Sequence, residues 1–225
     1  MELLTTVSVE IARRYFHAIF SPFYLLLIIF IGWQYKKMQE RQPAAGLAGY
    51  SRQYLHATLV ATVAGILGGF LGSFLLVLFG IDIARLGLIY LFAAALLLMM
   101  IHPRFLCFAY AGGLLSLFSL TVGFPRIQVA DVMGLVAILH LVESLLILFT
   151  GHLDPIPVYL RTGRGNVGGF NLQKFWPIPL VAMMSTGLVP ISTGTESWWP
   201  LLKDGTGLYE GLSFSLVPVL AILGY

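Results

Sequence analysis

The sequence predicts an all-α fold, a polytopic bundle of transmembrane helices with six to seven membrane segments, and three observations carry that expectation. Hydrophobic residues fill 58% of the 225 positions and charged residues only 10%, against roughly 25% charge in a soluble domain. Mean hydropathy is +0.89. Apolar runs recur at lengths near the roughly 20 helical residues that cross a hydrocarbon core. Between them Lys and Arg gather in alternate connections, as membrane topology requires.

The first run, residues 16–35, follows Arg13 and Arg14 and resembles a signal peptide in outline. Gln34, Tyr35, Lys36 and Lys37 stand where a cleavage site of small residues belongs, and Ala44, Ala45 and Gly46 come only after that basic cluster. An uncleaved span is the better reading. The second span, 57–80, carries Ala61, Gly65, Gly69 and Ser73 at four-residue intervals, a smooth ridge for close helix packing. The ridge serves either packing within the bundle or a homodimer contact through the second span. Spans at 84–101, 105–123 and 132–150 follow. A sixth run, 177–191, is short, is bracketed by Pro177, Pro179 and Pro190, and reads as a short or re-entrant span. The seventh, 208–225, contains Pro218 and stops at Tyr225 inside an apolar stretch, so it reads as incomplete and the chain as a fragment. A single integral membrane domain over residues 1–225, with no soluble domain, is expected.

Lys36, Lys37, Arg41, Arg52, Arg104, Arg161, Arg164 and Lys174 fall on one side of this topology, which makes that side cytoplasmic and places the N-terminus outside. The net charge of +3 is dispersed, which speaks against nucleic acid as a partner. Cys107 is the single cysteine, so neither an intrachain disulfide nor a multi-cysteine zinc site can form.

His140 and Glu143 are the sharpest polar signal, because an i, i+3 spacing puts both on one face near the middle of the fifth span. Ionisable groups at that depth are costly and are expected to face the bundle interior. They read either as a proton or substrate relay or as a hydrogen-bonded tie, joined by Ser144, between helices. The order His140, Leu141, Val142, Glu143, Ser144 matches the reversed zinc-protease motif until its last position and then fails. His152 and Asp154 complete no convincing zinc set. Gly163 to Gly168 matches G-x-G-x-x-G without the strand and helix that would make it a phosphate cradle, and reads as the glycine turn of a small hairpin. No serine lies in a nucleophile turn. No catalytic residue, metal or cofactor is therefore expected, and the chain does not read as an enzyme. Arg161, Arg164, Lys174, Phe175 and Trp176 combine basic charge with aromatics at a membrane edge, suited to lipid headgroups or to docking a partner. Trp198 and Trp199 read as interfacial aromatics.

Three stretches in order, Leu139 to Ser144, Tyr159 to Gly169, and Phe175-Trp176-Pro177-Ile178-Pro179, resemble the membrane region of multi-pass PDZ-domain membrane proteins of Gram-positive bacteria, the MinJ-like division-site determinant family. The run Ile101 to Phe105 fits more loosely. The resemblance implies a scaffold in the bacterial cell membrane that anchors, localises and recruits division proteins such as DivIVA and the MinD system. The PDZ domain that binds peptides in that family has no counterpart among these residues. The expectation is a membrane-anchoring scaffold module whose partners are the lipid bilayer and other membrane or division proteins. The alternative is a small-solute or proton-coupled transporter subunit using His140 and Glu143.

Overall fold

A computed structural model describes residues 2–40, 50–102, 108–153, 155–163, 165–185 and 212–223. The side chains of Cys107, Arg41, Arg104, Asp154, Arg164, Trp198 and Trp199 lie outside the described residues. Six α-helices run α1 Glu2–Ile19, α2 Pro22–Glu40, α3 Tyr50–Leu78, α4 Leu88–Ile101, α5 Phe108–Val122 and α6 Val129–Thr150. They are followed by strands β1 Ile156–Thr162, β2 Gly165–Asn171, β3 Lys174–Ser185 and β4 Leu212–Leu223. The chain is mostly helical, but it is not all-α.

Two segments of α-helix, Tyr54–Leu78 and Val129–Thr150, are long and apolar enough to cross a membrane. A third is added if the pair Ile11–Ile19 and Pro22–Glu40, bent by 54°, counts as one broken span. Six to seven membrane segments are therefore not supported. The helices α4 and α5 hold 14 and 15 residues, about 21–22 Å of rise, short of a core about 30 Å thick. Large apolar side chains such as Leu67, Leu97, Met100 and Phe149 face outward, an exposed apolar surface that suits lipid and would be a liability in water. These features are consistent with a membrane protein.

The first expected span is interrupted at Ser21. Its Oγ accepts the Tyr24 N–H at 3.2 Å, capping a new helix whose first residue, Pro22, has no N–H to leave unpaired. The break lets α1 pack Ile11, Tyr15 and Ala18 against Val77, Val181 and Met183 while α2 places Ile31 and Tyr35 in the main core.

The largest departure from expectation concerns the last two apolar runs. Residues 177–185 of the sixth form part of β3, and residues 212–223 of the seventh form β4. The two pair antiparallel, with Pro177 opposite Leu220 and Pro179 opposite Pro218. An apolar run of this length does not reveal its period, and proline at alternate positions suits a strand edge better than a helix interior. Residues 186–211, 224 and 225 lie outside the described residues.

Lys174 to Met183 of β3 are buried throughout. The strand lies against α3, α1 and α2, and its side chains Phe175, Trp176, Ile178, Leu180 and Ala182 join the main core with residues of α2 to α6. At the far end of β3, a tight turn places Asp82 in a parallel bridge with Met183. Asp82 also accepts the Ala84 N–H at 2.9 Å and pairs with Arg85 at 3.4 Å. Asp82→Ala is expected to lose about 1 kcal/mol of stability, the usual worth of such a cap, as a lower thermal midpoint in detergent. An unchanged midpoint would show that the turn is held by its apolar contacts alone.

Candidate functional site

The buried strand is the feature around which the polar chemistry of this chain is arranged. A two-stranded sheet has two open edges, and an open edge is not tolerated in hydrocarbon unless protein covers it. On β3 the odd-numbered residues direct their backbone groups away from β4, as the bonds they make show. The Tyr35 hydroxyl accepts the Phe175 N–H at 3.0 Å and donates to the Phe175 carbonyl at 3.2 Å. The Tyr24 hydroxyl donates to the Pro177 carbonyl at 3.2 Å. Ser73 Oγ accepts the Val181 N–H at 2.9 Å while donating to Gly69 O at 2.6 Å. Residues 177 and 179 on the same edge are prolines and have no N–H to satisfy.

The ridge of small residues on α3 is what lets this edge come close. Ala61 and Ser73 are 2% and 0% exposed, and Gly65 and Gly69 are buried beneath β3. A Cβ at Gly65 would overlap the Pro177 carbonyl, and one at Gly69 would stand 2.5 Å from the Pro179 carbonyl. The ridge therefore packs within the same chain, against a strand and not another helix. Of the two readings of the ridge, packing within the bundle is the one these contacts show, with β3 as the neighbour of Gly65 and Gly69.

Sequence reasoning grouped Lys174, Phe175 and Trp176 with Arg161 and Arg164 in one docking or headgroup loop. The structure separates them. Lys174, Phe175 and Trp176 are 5%, 6% and 1% exposed and belong to the interior, where Lys174 donates to the Leu153 carbonyl and Trp176 Nε1 donates to Thr150 Oγ1 at 3.1 Å. Arg161 belongs to the β1–β2 hairpin, opposite Asn166 in its register. The glycine pattern does form the turn of that hairpin, with Gly165 at a φ of 122° that favours glycine. Among the described residues the two strands pair only with each other. At the end of β2 and just beyond it, Phe170 and Leu172 are exposed. The root of the hairpin is thus fixed by Lys174 and Trp176.

His140 and Glu143 are on one face of α6, as their spacing predicts, but not toward the interior. His140 is exposed and Glu143 is half-buried. The His140 ring Nδ1 is 2.9 Å from the Val136 carbonyl, and Ser144 Oγ donates to the His140 carbonyl at 2.7 Å. Elsewhere, α3 and α6 flank an open apolar groove of about 620 Å³, with His56 and Thr150 at one end and Leu71 and Val142 toward the other. Neither His140 nor Glu143 lines it. Among the described residues no group of three or more His, Cys, Asp or Glu could hold a metal ion.

The residues that sequence reasoning missed are Tyr24, Tyr35 and Thr150, each of which reads as an ordinary member of an apolar helix. Only the partner strand reveals their role. Comparison with family models, with curated proteins and with solved structures gave no match.

Proposed function

We propose that this chain is a membrane-anchoring scaffold module that positions partners at one membrane face, the membrane half of a PDZ-type protein of the kind the sequence resembles. The observation that carries this reading is the β1–β2 hairpin, Ile156–Thr162 and Gly165–Asn171, whose strands among the described residues pair only with each other and which is followed by Lys174 and Trp176, both held in the core. An isolated two-stranded hairpin is marginal alone. Open edges are what a partner needs to add a strand by main-chain hydrogen bonds. Followed directly by a buried strand, the hairpin has the form of a docking element. The exposed Phe170 and Leu172 add the apolar contact that such docking uses.

The scaffold reading is preferred over transport because His140 is exposed, Glu143 only half-buried, and neither lines the groove between α3 and α6. The test replaces residues 156–171 with a Gly/Ser loop and leaves Lys174 to Trp176 intact. The tagged intact chain is expected to concentrate at a membrane subregion such as a septum, and the replaced chain to spread evenly at the same membrane abundance. Even distribution of the intact chain, or an unchanged focus in the variant, would remove the scaffold reading.

A further inference from the structure

The α6 helix, 22 residues long and apolar enough to cross a membrane, presents His140 near its middle on an exposed face, with Glu143 half-buried at the edge of that face. Ionisable side chains at such depth are costly against lipid and as a rule meet protein or water. The same face includes the exposed residues Met133, Ala137, Ser144 and Ile147. With His140 they are spaced by four, three, four and three, a 3.5-residue repeat that makes the seam of a left-handed helix pair.

Ala137 and Ser144 flank His140 along that seam, and small residues there let two helices approach closely. A polar residue at one central seam position is the device that fixes register in such pairs. A parallel second copy, related by a two-fold axis along the membrane normal, would set the seam against itself. Its Glu143 would lie three residues along the axis from the level of His140, about 4.5 Å of rise, at the rim of the seam. One face thus carries both halves of a complementary pair, so it is complementary to itself. The small-residue ridge of α3 offers no competing contact, because β3 covers it. We infer that the chain forms a parallel homodimer through the α6 face centred on His140, with two reciprocal contacts between His140 of one copy and Glu143 of the other.

The experiment uses the full chain in bilayers with Cys107 replaced by Ser. Cysteines introduced singly at Ala137 and Ser144, both exposed, are expected to cross-link two copies on mild oxidation, while cysteines at the exposed Leu97 and Leu117 do not. In a fluorescence dilution assay, Glu143→Gln weakens the dimer about tenfold, and His140→Glu alone does the same or worse. The exchange of both, His140→Glu with Glu143→His, restores it. Monomer at every dilution, equal cross-linking at Leu97 or Leu117, cross-links to a different protein, or an affinity indifferent to Glu143→Gln would each overturn the inference.

Discussion

Gly65→Leu is expected to cost about 3 kcal/mol, the upper end of the usual overpacking range, and to undock the β3–β4 pair from the helices. The obstacle at that site is the Pro177 carbonyl, part of the strand backbone. A flexible side chain could swing aside, whereas moving a backbone carbonyl shifts the whole register of β3 against Tyr24, Tyr35 and Ser73. The matched control is Gly113→Ala. Nothing lies within 4 Å of a Cβ there, and replacing a helical glycine by alanine is worth roughly 0.5–1 kcal/mol. Denaturation in mixed micelles should therefore lower the midpoint for one glycine and hold or raise it for the other. Equal effects would mean that the α3 ridge is not where the strand docks.

Tyr35→Phe should cost about 2–4 kcal/mol, although it removes a single oxygen. That hydroxyl serves both the N–H and the carbonyl of Phe175, and each buried backbone group left unpaired costs about 1–3 kcal/mol. Ser73→Ala leaves one such group, the Val181 N–H, and should cost about half as much. Tyr24→Phe should be the mildest, because it takes one donor from the Pro177 carbonyl, and under-satisfied carbonyls are better tolerated than orphaned N–H groups. Amide exchange at Phe175 and Val181 reads the effect locally, with faster exchange expected at the residue that loses its partner. Unchanged exchange at Phe175 in Tyr35→Phe would show that the edge is satisfied in another way.

The helices were legible wherever length alone decides. The run now seen as α6 and the long run of α3 each contain an apolar stretch that no strand would need, and the glycine turn of the β1–β2 hairpin was legible from its flanks. The β3–β4 pair was not, because short apolar runs carry no readable period. The clue was local and chemical: Pro177 and Pro179 stand two apart, so in a strand both missing donors fall on one edge. The ridge on α3 was legible as a packing surface, but what it packs against depends on residues more than a hundred positions away. His140 and Glu143 share a face, as their spacing required. Which way the face points could not be read, because α6 is apolar nearly all round and only the neighbours α3 and α5 decide its buried side.

The proline-edged strand also has a temporal meaning. β3 cannot satisfy itself, since the Phe175 and Val181 N–H groups and the Phe175 and Pro177 carbonyls are met by hydroxyls on α2 and α3 and its inner edge by β4. During synthesis β3 leaves the ribosome after those hydroxyls and before β4. Helices close their own backbone bonds and can enter the bilayer singly, so α2 and α3 supply a receptive cleft before β3 needs one. Biogenesis then runs in a compulsory sequence, helices first and the β3–β4 pair last, and the emerging residues of β4 act as the latch that completes it.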